Sequence, residues 1–87
     1  MDTRIALIGI VLDSHESVDE LNHLLSTYSE FIVGRMGIPY KEKNISIISV
    51  TLDAPGDVIS ALSGKLGMLP GISTKTIYAK TPKEVPS

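Results

Sequence analysis

The stretch "IALIGIVL" (residues 5–12) decides the fold, because it has two readings: a buried strand or the apolar core of an export signal. It is only eight residues long, is preceded by both Asp2 and Arg4, and runs into "DSHESVDE" without a small-residue cleavage site. A buried strand is therefore expected. A membrane-crossing helix would need about 20 apolar residues, and no such run occurs, so the expected location is the cytoplasm. Within the stretch Ile5, Leu7 and Val11 point one way, while Ala6, Ile8, Ile10 and Leu12 point the other. Both faces are apolar, whereas an antiparallel sheet with one wet face alternates cleanly. A small protein that is apolar on both faces of its first strand needs a second subunit to cover the spare face. The sequence thus predicts a homo-oligomer, dimer or tetramer.

Downstream of that strand, Ser17-Val18-Asp19-Glu20 has the spacing of a capping box, and Val18, Leu21, Leu24, Leu25 and Tyr28 form one helical stripe. "FIVGRMGIPY" (31–40) mixes β-branched and aromatic residues with glycines and ends near Pro39, which suits a strand at a sheet edge. A turn through "KEKN" leads into "ISIISVTL" (45–52), so these two strands should form a hairpin. "DAPGD" (53–57) opens a second helix, with Asp53 as expected cap and Pro55 tolerated in the first turn. Val58, Ile59, Leu62, Leu66 and Leu69 give that helix its apolar face, and "GISTKTIYA" (71–79) is the last strand. The order strand, helix, strand, strand, helix, strand is that of the α+β ferredoxin-like βαββαβ fold: a four-stranded antiparallel sheet with both helices on one face. Residues 1–80 are expected to form this one domain, and 81–87 a flexible tail.

Composition narrows the chemistry. With 43% hydrophobic and 21% charged residues, the chain lies well inside the globular range and should fold. It contains no cysteine, which removes disulfides, thiolate metal sites and thiol nucleophiles. Eight basic and ten acidic residues are scattered without runs, so no electrostatic footprint for nucleic acid or an anionic membrane is present. RNA-recognition domains of this fold stack bases on aromatic residues of their two central strands. Neither "IALIGIVL" nor "ISIISVTL" contains an aromatic residue.

"ALSGKLGMLPGI" (61–72) contains a Gly-Lys pair that invites comparison with a phosphate-binding loop. That loop requires a glycine five positions before the pair and Ser or Thr directly after it. Ile59 and Leu66 stand there instead, and the segment closes a helix rather than opening one. The glycines are better explained structurally: Gly64 as a close approach to the sheet, Gly67 as a left-handed cap, and Pro70-Gly71 as the helix stop. His15 and His23 are too far apart along a helix to share a metal without further ligands, and the acidic residues near His15 suit a helix N-terminus. No Ser occupies a G-x-S-x-G elbow, so no enzyme activity is expected. Arg35, within an apolar strand and near Lys41 and Lys43, could bind a carboxylate or phosphate, or simply sit solvated at the sheet edge.

The combination of "RMGIPYKEKNISII" (35–48), "ALSGKLG" (61–67), Gly71 and Lys75-Thr76 resembles the small stand-alone family of iron-only hydrogenase system regulators. The resemblance spans about residues 4–80 and implies the fold of ACT domains and of the carboxy-terminal domain of the nickel-responsive repressor. It further implies an oligomeric regulatory module of anaerobic bacteria, encoded near hydrogenase maturation genes. The histidine and cysteine ligands of the nickel repressor are missing from the strands here, so nickel sensing does not carry over. ACT domains that bind amino acids commonly place a glycine after the first strand, where this chain has "DSHES". The resulting expectation is a non-enzymatic regulator without a cofactor or resident metal, partnered by itself and by a small effector or a regulatory protein. Arg35, Lys65 and Gly67 are the candidate ligand-binding residues, and the alternatives are a purely structural interaction module with no ligand pocket and, after it, a small enzyme with an interfacial site.

Overall fold

Parity in the first strand sets the layers. The computed structural model describes residues 2–80, which include β1 (Arg4–Leu12), α1 (Val18–Thr27), β2 (Ile32–Tyr40), β3 (Ile45–Ala54), α2 (Gly56–Gly67) and β4 (Ile72–Tyr78). The strands form one sheet in the order β2-β3-β1-β4, and every neighbouring pair is antiparallel. Ala6, Ile8, Ile10 and Leu12 of β1 and Val50, Leu52 and Ala54 of β3 are buried beneath the helices. Leu21 and Leu25 of α1 and Ile59, Leu62 and Leu66 of α2 close the core from above. This is the ferredoxin-like arrangement, with both helices on one face. The expected tail, 81–87, lies outside the described residues.

β2 is an edge strand, which accommodates Pro39 at its end, and its pairing with β3 slips by one residue between Ile32 and Gly34. Phe31 belongs to a short 3₁₀ turn, Ser29–Phe31, rather than to the strand. At the hairpin, Lys41–Lys43 make a second such turn, and Asn44 adopts φ 56°, a conformation that its short polar side chain tolerates.

Four local expectations need correction. Ser17 does precede α1, but its side chain makes no capping bond. Instead it is buried, and its hydroxyl donates 2.8 Å to the carbonyl oxygen of Pro70, tying the start of α1 to the loop after α2. Asp53 does not cap α2: β3 continues through Ala54, which pairs with Arg4, and Pro55 stands at the helix start. Gly64 is exposed, and a Cβ there would meet nothing within 4 Å, so it permits no close approach. Gly67 is the last residue of α2 and has no positive φ; the left-handed glycine is Gly71, at φ 76°.

Gly71 is also constrained by its surroundings. A Cβ there would collide with Ser14 Oγ, and the Gly71 carbonyl accepts a 3.0 Å bond from the Asp13 amide. Gly71→Ala is therefore expected to cost roughly 2–3 kcal/mol, combining a left-handed alanine with a displaced loop. Urea unfolding of the two proteins measures it, and an unchanged midpoint would contradict this account.

Candidate functional site

Two features stand out on the surface. The first is the sheet face that the helices leave open. Because paired residues on neighbouring strands share a face, the register assigns Ile5, Leu7 and Val11, Ile47, Met36, Ile38 and Tyr40, and Ile77 to this side. All eight are exposed, Met36 and Ile77 to 60% and 64%. An apolar surface spread over four strands far exceeds the scattered single residues that a soluble surface normally carries. Ser49, Thr51 and Gly9 lie between the apolar groups, with Asp53 and Lys75 on the same face. Here the sequence reading of β1 as apolar on both sides has its physical meaning: one side is core, the other an uncovered surface.

The second feature is a cleft of about 260 Å³ at the hairpin end of the sheet, lined by residues of the β2–β3 hairpin and of the loop from β1 to α1. Leu12, Pro39 and Ile45 are apolar members of its lining, and Ser14, His15, Lys41 and Ser46 are polar ones. A lining that combines one cation, a histidine and hydroxyls with apolar residues suits a compact organic anion. Tyr40, at the hairpin, donates its hydroxyl to Glu42 Oε1 at 2.9 Å.

The residues singled out from sequence do not converge on either feature. Arg35 lies opposite Val50, hence on the helix side of β2, and its guanidinium donates to Asn22 Oδ1 on α1 at 3.4 Å. Lys65 reaches α1 from α2, donating 3.0 Å to the Tyr28 hydroxyl, with its ammonium 5.3 Å from the ring centroid. Gly67 faces β4, where a Cβ would stand 3.9 Å from Thr74 Oγ1. Lys65 also borders a shallow groove of about 430 Å³ between the helices, alongside Asp19, Glu20, His23 and Met68. The two histidines thus line different depressions, and among the described residues no three His, Cys, Asp or Glu side chains are grouped to hold a metal ion.

Sequence reasoning missed the cleft because its walls come from residues 12–15 and 39–46, which only the sheet register brings together. Ser46 sits opposite Leu12, and that pairing puts the hairpin end of β3 beside the start of the loop. No helix among the described residues is long and apolar enough to cross a membrane.

Comparison with known proteins follows the same lines. No functionally curated protein is similar enough to match. Among solved structures, the chain is similar to "uncharacterized protein TM1266 from Thermotoga maritima", with 39% sequence identity and a TM-score of 0.87. The alignment covers 91% of this chain and 100% of that one. A family profile, "TM1266-like: Iron-only hydrogenase system regulator, putative", matches residues 4–76. With a match that runs from the start of β1 through both helices into β4, the chain belongs to the TM1266-like family of iron-only hydrogenase system regulators.

Proposed function

We propose that this protein is a non-enzymatic regulatory module that assembles with itself through the open sheet face and takes up a small organic anion in the cleft at the hairpin end of the sheet. The observation that carries the reading is the set of eight exposed apolar residues on that face, which a lone protomer leaves in water. Membership of the regulator family supports the regulatory role. Lys41 would meet the charge of the anion and the His15 imidazole would offer it a hydrogen bond, whereas Arg35 lies on the helix side of β2, bonded to Asn22 and away from both the cleft and the open face. A purely structural module is the second reading, and the small cleft volume favours it, since ligand pockets are usually about 300–1,000 Å³.

Sedimentation equilibrium followed by a thermal-unfolding screen tests the proposal, with carboxylates, amino acids, phosphates, nucleotides and divalent cations as probes. The expected result is a dimer or tetramer stabilised by one class of small anion. At 100 times its dissociation constant a ligand adds about 2.7 kcal/mol, a shift of several degrees for this size. Lys41→Ala should abolish that shift, and Arg35→Ala, outside the cleft, should leave it unchanged. An assembled protein that no probe stabilises would favour the structural module, while a monomer at all concentrations would remove the assembly itself.

A further inference from the structure

The open face carries two charged strand residues among its apolar ones, Asp53 on β3 and Lys75 on β4. We infer that they form reciprocal ion pairs between two copies of this chain, across a two-fold axis that passes over Leu7. The inference rests on the self-assembly proposed above and specifies its geometry.

Asp53 lies opposite Ile5 on one side of β1, and Lys75 lies opposite Gly9 on the other. The two are separated by two inter-strand steps and four residues of β1, roughly 16 Å, so they cannot pair within one protomer. Their midpoint on the pleated grid is Leu7, halfway between Ile5 and Gly9. A two-fold axis lying in the interface and exchanging these positions must pass over that midpoint. It then sets Asp53 of each copy against Lys75 of the other, Leu7 against its own counterpart, and Ile5 near the other copy's Ile77. Acid meets base twice and apolar meets apolar, which is the self-complementarity that a two-fold interface demands.

Gly9 contributes a second element. It carries no side chain, and the nearest atom to a Cβ built there is the Lys75 carbonyl oxygen at 4.0 Å, so the face is open beside Lys75. An incoming carboxylate can reach the ammonium there without displacing a neighbour. Ile5 and Ile77 would shield the two pairs from water, so that a face-to-face register placing lysine against lysine is strongly disfavoured.

Sedimentation equilibrium of Asp53→Lys and Lys75→Asp, each alone and mixed in equal amounts, tests this. Alone, each variant places two like-charge contacts in its dimer and should raise the dissociation constant about a hundredfold. In the mixture, the altered position 53 of one chain faces the altered position 75 of the other with opposite sign, and the remaining contact is native. Association should return to within about threefold of the parent, as a heterodimer. Asp53→Asn and Lys75→Gln, which introduce no repulsion, should each weaken the dimer about tenfold, and far-UV circular dichroism checks that all variants fold. Single variants that associate like the parent, or a mixture as dissociated as its components, would overturn the pairing while leaving self-assembly in place. A parent protein that stays monomeric would overturn the self-assembly reading and the pairing with it.

Discussion

Ile8→Ala is expected to remove about 3–4 kcal/mol of folding stability, the cost of deleting buried methylenes plus the cavity they leave. Ile8 has no exposed surface, sits on a central strand, and faces the helices between Val50 on β3 and Thr76 on β4. A domain of this length has a total stability of only about 4–13 kcal/mol, so the melting temperature should fall by more than ten degrees. Its chain neighbour provides the control. Leu7 is 40% exposed on the other face, and Leu7→Ala should cost the isolated protomer under about 1 kcal/mol. Since assembly also stabilises the folded chain, both variants must be compared with the parent at one dilute concentration where each is monomeric. Equal losses at positions 7 and 8 would contradict the assignment of β1 to a buried face and an open one.

That one-residue contrast shows why most of the fold could be read in advance. Two periods carry it: alternate residues in β1 and β3, and the three-to-four-residue stripe of Leu21 and Leu25 or Ile59, Leu62 and Leu66 in the helices. Both depend on local sequence, so the element order follows from it, while the side of β1 that the helices cover does not, because both sides read as apolar. Where reading failed, a distant partner had overridden a local pattern. Ser17 has the spacing of a capping residue, yet its hydroxyl is claimed by the Pro70 carbonyl, 53 positions away. Asp53 precedes a Pro-Gly pair as a cap would, yet β1 extends far enough for Arg4 to hold Ala54 in the ladder, and Asp53 stays on the open face. The glycines of 64–71 show the same limit: composition marks a helix end, but only the folded backbone, with φ 76° at Gly71 beside Ser14, shows which glycine is left-handed. The candidate site was least legible of all. Arg35 and Lys65 were recognisable as cations in apolar segments, but their hydrogen bonds to Asn22 and Tyr28 depend on how α1 crosses the sheet. The cleft joins a loop to a hairpin tip that share no sequence signal.

Leu7→Glu should convert the assembled protein into a folded monomer. In the proposed interface this side chain is central on the open face, flanked by Ile5 and Ile77, and would leave water on assembly. Each copy loses the burial of one leucine, about 1.5–3 kcal/mol, and two copies bring two new carboxylates together at the axis, where the neighbouring Lys75 ammoniums are already paired with Asp53 in the proposed interface. A total of at least about 4 kcal/mol corresponds to a dissociation constant raised about a thousandfold. The protomer itself should be little affected, because position 7 projects away from the core that Ala6 and Ile8 enter. Light scattering across a concentration series reads the assembly, and circular dichroism reads the fold. If the variant associated as tightly as the parent, the open sheet face would not be the interface, and its exposed apolar residues would require a different occupant. If it lost both assembly and fold, the protomer would depend on its partner for stability, as obligate dimers do. The effect of Ile8→Ala would then have to be measured on the assembled protein.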